Sequence, residues 1–114
     1  MPEETMRVVT QTEGGTVTIA PEGDVDLARS PTLRAALRQA LAAKPQRLVV
    51  DLTGVDYMDS SGVATLVEAL QTARRGSTRL VLCAMKERVR SIFEIARLDG
   101  VFTIVDSREK AATA

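Results

Sequence analysis

The sequence contains no histidine and no tryptophan, one cysteine, one tyrosine and two phenylalanines. Each absence closes off a class of function. Without histidine, the usual base for a serine or cysteine nucleophile is missing, and so is the commonest zinc ligand. A single cysteine cannot build a disulfide framework. Fifteen basic and fifteen acidic residues give a formal net charge of zero, so no basic footprint for nucleic acid emerges from the totals. No apolar run approaches membrane-spanning length, and the start Met-Pro-Glu-Glu-Thr is acidic, unlike a secretory signal. These features predict a cytoplasmic protein with no direct membrane insertion, no metal and no cofactor.

What is present is a folded-domain composition. A chain of 114 residues suits one domain with one core, spanning 1–114. The pattern predicts an ordered core over about 6–105, with flexible tails at 1–5 and 106–114, the second either a frayed helix or without structure. Met6–Thr10 and Thr16–Ala20 read as a hairpin around Glu13-Gly14-Gly15. After a loop over Pro21–Asp26, Ser30-Pro31 reads as a cap followed by proline at the first helical position. The helix they open runs to about Ala43 and buries Leu33, Leu37, Ala40 and Leu41. Leu48-Val49-Val50 with Leu52 is a nearly continuous apolar run, expected of a strand covered on both faces. Val63, Leu66, Val67 and Leu70 recur at helical spacing, with Glu68 on the outer face and Arg74-Arg75-Gly76 as the stop. Arg79–Ala84 is a further strand, with Cys83 as an inert core thiol. Lys86–Leu98 is a helix with Met85, Val89, Ile92, Phe93 and Ala96 inward, and Val101–Val105 is a last strand.

Strands alternating with helices imply right-handed crossovers and a mostly parallel α/β sheet of four to five strands, with an N-terminal hairpin and three to four helices. In such sheets, function gathers in the loops beyond the carboxyl ends of the strands. Two loops fall there, Gly23–Asp26 and Tyr57–Gly62. The spacing therefore places Asp24, Asp26, Asp56, Asp59, Ser60 and Ser61 together on one acidic edge. Asp59-Ser60-Ser61-Gly62 presents two hydroxyls where a strand hands over to a helix. Asp and Ser are also ordinary N-cap residues, so the tetrapeptide alone indicates only a helix start. Neither serine has the parts of a hydrolase. The three lysines at 44, 86 and 110 are distant in sequence, and neither Gly-x-Ser-x-Gly nor a phosphate-binding glycine loop is present. A serine without a base can still accept a phosphoryl group when another protein supplies the machinery.

The full constellation of apolar strand, Gly54, Asp56, Tyr57, Met58, Asp59-Ser60-Ser61-Gly62 and apolar helix resembles the anti-sigma factor antagonists of the STAS-domain family. Gly23-Asp24-Val25-Asp26 resembles that family's turn before the first helix, and Leu98-Asp99-Gly100-Val101-Phe102 its ending before the last strand. The resemblance spans about Met6 to Val105. It implies a non-catalytic STAS domain that, unphosphorylated, binds an anti-sigma factor that is also a serine protein kinase and so frees a sigma factor. It further implies that phosphorylation of Ser60, with Ser61 as the alternative acceptor, ends that binding, and that a serine phosphatase restores it. The expected partner surface comprises Asp24, Asp26, Asp56, Tyr57, Met58, Asp59, Ser60, Ser61 and Gly62; alternation puts the Tyr57 and Met58 side chains on opposite faces, so one of the two is equally a candidate for the core. A second reading is a cytoplasmic STAS subunit of a lipid-transport ABC complex that binds its ATPase. It rests on Val63-Ala64, where sporulation-type antagonists commonly continue Gly-Leu-Gly.

Overall fold

The computed structural model describes residues 6–114; the expectation for 1–5 lies outside the described residues. Strands β1 (Arg7–Glu13) and β2 (Thr16–Glu22) form an antiparallel hairpin, with Arg7 opposite Glu22 and Glu13 opposite Thr16. Gly14 takes φ 62° as the first residue of the two-residue turn, a position that favours glycine. β3 (Arg47–Asp51), β4 (Arg79–Cys83) and β5 (Thr103–Val105) then add in parallel, so the sheet order is β1-β2-β3-β4-β5. Both hairpin strands run longer than the apolar pattern suggested. Pro21 sits inside β2, where the pairing with β3 has already ended at Ile19–Val50 and no amide is needed on that side.

Each parallel step is bridged by a helix: α1 (Ser30–Ala42), α2 (Ser60–Arg75) and α3 (Glu87–Ile95). Successive right-handed crossovers moving one way across a sheet put their helices on one face. Strand alternation follows from this. Leu48, Val50, Leu80 and Leu82 turn toward Leu33, Leu37, Leu66, Leu70, Val89 and Phe93 in the main core. Phe93 and Phe102 close one end of it edge to face, with ring centroids 5.4 Å apart. Val49, Val81 and Cys83 point the other way.

That second face explains why the last residues depart from the flexible tail expected for 106–114. Asp106–Ala114 contains a fourth helix, α4 (Arg108–Ala111), whose Ala111 is fully buried against Val49, Val81 and Cys83. Ser107 caps it by accepting from the Lys110 amide at 3.1 Å, and Arg108 ties it to Asp51 at 2.8–2.9 Å and to Gln11 at 2.8 Å. Burial places the Cys83 thiol in this layer and, with the nearby Asp51 charge, pushes its pKa up to about 11.

The helix ends also differ from the expected signals. Ser30 is buried inside α1 rather than capping it; the helix is entered from Asp26, whose carbonyl accepts from Ser30 N–H at 2.8 Å. At the end of α2 the left-handed residue is Ser77, φ 60°, and not Gly76, φ −96°; Thr78 N–H closes the turn on the Ala73 carbonyl at 2.8 Å. α3 stops at Ile95 because Arg97 turns left-handed and Leu98 N–H returns to the Phe93 carbonyl at 2.8 Å, leaving Ala96 exposed. Glu68, expected on the outer face of α2, lies at its seam with α1 and accepts from Arg34 at 3.0 Å and Arg38 at 2.9 Å.

Candidate functional site

Two loops beyond the carboxyl ends of β2 and β3 are stitched into one surface. Val25 and Met58 form an isolated parallel bridge. Val25 N–H donates to the Tyr57 carbonyl at 2.9 Å, Asp59 N–H donates to the Val25 carbonyl at 3.1 Å, and Gly23 N–H donates to the Gly54 carbonyl at 3.0 Å. The common edge expected from strand–helix spacing is therefore present, built from backbone hydrogen bonds that neither loop could make alone.

Along this edge the candidate side chains separate by role. Asp59 is the N-cap of α2: its carboxylate accepts from Ser61 N–H at 2.8 Å and Gly62 N–H at 3.4 Å. Of the Asp and Ser residues that could cap the helix, Asp59 does so, while Ser61 contributes its amide and, through its carbonyl, accepts from the Thr65 hydroxyl at 2.8 Å. Ser60 opens the helix exposed, and its hydroxyl is bonded to none of the described residues. Asp24 is exposed beside the bridge.

Two of the expected partner-binding residues are internal. Met58 is completely buried, because alternation about the Val25 bridge turns it into the core while Tyr57, 40% exposed, faces outward. Gly62 is buried directly above it: a Cβ there would stand 2.5 Å from Met58 Cγ and 2.8 Å from Val25 Cγ1. Both residues shape the site without being available to a partner.

The edge is also less acidic than the order of residues suggested. Asp26 pairs with Arg29 at 2.6 Å and also accepts from its backbone N–H at 3.0 Å. Asp56 pairs with Lys86, which together with Arg88 holds its carboxyl below the ordinary carboxylate range despite a small opposing desolvation. Lys86 arrives from the loop after β4, thirty residues away, so no local motif could have revealed it. Leu27, 75% exposed, follows Asp26 and is a large apolar side chain left open to solvent on this loop.

Behind the edge, Asp51 ties the base of the second loop. Burial raises its pKa, but the Thr53 hydroxyl at 2.6 Å, the Thr53 amide at 3.0 Å and Arg108 outweigh this and leave it lowered overall. What the arrangement offers chemically is an exposed hydroxyl at a helix start, next in sequence to a carboxylate held as the helix cap, with an exposed tyrosine on the same loop.

Comparison with known proteins points one way. Residues 7–111 match the family described as STAS domain. The chain is 34% identical over 93 residues to BtrV of Bordetella bronchiseptica, covering 82% of this chain and 80% of that one. It is 33% identical over 82 residues to the anti-sigma-B factor antagonist of Listeria monocytogenes, covering 72% of each. Among solved structures, an anti-sigma factor antagonist from Mycobacterium paratuberculosis superposes with a TM-score of 0.88 at 21% identity, over 96% of this chain and 93% of that one. The phosphorylated form of the Bacillus cell fate determinant SpoIIAA superposes with a TM-score of 0.71 at 20% identity, over 94% and 96% respectively.

Proposed function

The chain belongs to the STAS-domain family of anti-sigma factor antagonists, regulatory proteins rather than enzymes, and from that premise we propose that it is a partner switch read at Ser60. In the unphosphorylated state the edge around Ser60 binds a cytoplasmic anti-sigma factor with serine-kinase activity, and a sigma factor is released. Phosphoryl transfer to Ser60 ends the binding, and a serine phosphatase reverses it. The existence of a structural neighbour in a phosphorylated form supports this reading.

The observation that carries the proposal is the division of labour between Asp59 and Ser60. The Asp59 carboxylate already occupies the Ser61 and Gly62 amides, the groups that would otherwise receive an anion at a helix start. A phosphate on Ser60 adds about −1.5 to −2 charges beside that carboxylate, with its favoured donors taken. It is therefore held outward, where a partner must desolvate it. Repulsion acts across the interface, while the fold behind it, sealed by Met58 and Gly62, is untouched. Tyr57 and Leu27 supply the apolar contacts of the unphosphorylated complex.

The test is a calorimetric titration of the cognate anti-sigma kinase with unphosphorylated, phosphorylated and Ser60→Asp protein. Binding should fall at least about tenfold on phosphorylation and by less in Ser60→Asp, which brings one charge and a smaller group. Equal affinities for the three forms would remove Ser60 from the switch.

A further inference from the structure

The opposite end of the molecule carries the second feature that calls for a partner. α2 is 16 residues long, which places its last residue, Arg75, about 22 Å from Ser60 at 1.5 Å per residue. That turn divides two open grooves. On one side Arg74 and Arg79, with Gln46, Ser77 and Val101, line a groove of about 380 Å³. On the other Arg75, Lys44 and Arg38 line one of about 410 Å³. Neither groove is lined by a carboxylate. Arg38 is paired with Glu68, but Arg74, Arg79 and Lys44 have no acidic partner among the described residues, and Arg75 reaches only the Thr72 hydroxyl at 3.5 Å. This contrasts with the Ser60 edge, where Asp26 and Asp56 are each matched by a cation. Four cations without a carboxylate partner among the described residues, Lys44, Arg74, Arg75 and Arg79, thus gather around the end of one helix; Arg88, Arg90 and Arg97, also without an ion pair, lie apart from them on and just after α3.

We propose that this face docks an acidic segment of a protein partner, through a contact that does not depend on the state of Ser60. The reading goes beyond the switch and stands or falls separately from it. Charge complementarity sets the sign of the partner. The groove walls set the rest: Val101 is 45% exposed and Leu70 and Leu80 form the floor, so the segment carries aliphatic side chains among its carboxylates. A nucleic acid fits less well, because no aromatic side chain is available here for base stacking; Phe93 and Phe102 are buried and Tyr57 is at the other end. A second copy fits less well too, since two carboxylates of its acidic edge are already paired.

The experiment is a titration of ¹⁵N-labelled protein with a short synthetic peptide alternating glutamate and leucine. Amide shifts should concentrate at residues 74–80 and 101–103, and affinity should drop about tenfold from low salt to 0.2 M. Arg74→Glu with Arg79→Glu should abolish the shifts, and Ser60→Asp should leave them unchanged. Both arginines are exposed, so the double variant should keep a dispersed spectrum; Arg74→Gln with Arg79→Gln, giving a weaker loss, serves if it does not. Shifts spread evenly over the surface, equal binding of a lysine–leucine peptide, or tighter binding of oligothymidine at the same residues would overturn the proposal.

Discussion

Gly62 lies so close over Met58 that a Cβ on the glycine would stand 2.5 Å from Met58 Cγ. This contact seats the first turn of α2 on the bridge between the two loops, and so fixes where Ser60 emerges. Gly62→Ala should displace the helix start and cost about 1–3 kcal/mol, as overpacking of a close contact does. Chemical denaturation measures it. A stability equal to wild type would mean that the helix has room to slide and that the site is not rigid.

Tyr57 and Met58 should separate cleanly by experiment. Met58→Ala empties a fully buried site and should cost about 2–5 kcal/mol. Tyr57→Ala should leave the melting temperature within a few degrees of wild type yet weaken binding to the kinase. A Tyr57→Ala protein that binds normally would remove the ring from the interface.

These two residues also show how much of the site could be read from the sequence. Alternation along an extended segment indicates that neighbours face opposite ways; which of the two faces inward depends on the bridge to Val25, a contact across 33 positions. The fold was more legible, because the helices and strands carry their apolar periodicity in continuous stretches. α4 was not, since it has one buried anchor, Ala111, and an ion pair from Arg108 to Asp51 across 57 positions. Lys86 on Asp56 escaped for the same reason. Contacts that set the charge of this edge are long-range, while the helix start and its serines are local.

Asp51 makes a pH-dependent contribution whose sign follows from its surroundings. Its pKa in the folded state lies below the ordinary 3.8, so the charged form is favoured by folding. That stabilisation is present above the unfolded value and is lost as pH falls through the folded one. Asp51→Asn should cost about 1–3 kcal/mol near neutral pH, and the gap from wild type should narrow below about pH 4. Denaturation curves from pH 7 to pH 3 test this. A gap that stays constant throughout would mean that the carboxylate charge contributes nothing to holding α4 and Thr53.

Asp59 combines a cap and a charge, and the two can be parted. Asp59→Asn keeps a capping oxygen and should hold stability within about 0.5 kcal/mol, whereas Asp59→Ala should lose about 1 kcal/mol. With the neighbouring charge gone, phosphorylation of Asp59→Asn should impair partner binding less than in wild type. An undiminished effect of phosphate in that variant would show that repulsion from Asp59 plays no part.

The central claim is that Ser60 is the phosphoacceptor, and phosphopeptide mapping after incubation with the cognate anti-sigma kinase tests it most directly. Wild type and Ser61→Ala should carry phosphate on residue 60, Ser60→Ala should carry none, and Ser60→Ala should still bind the kinase. Phosphate on Ser61 alone, or labelling that survives in Ser60→Ala, would contradict the account.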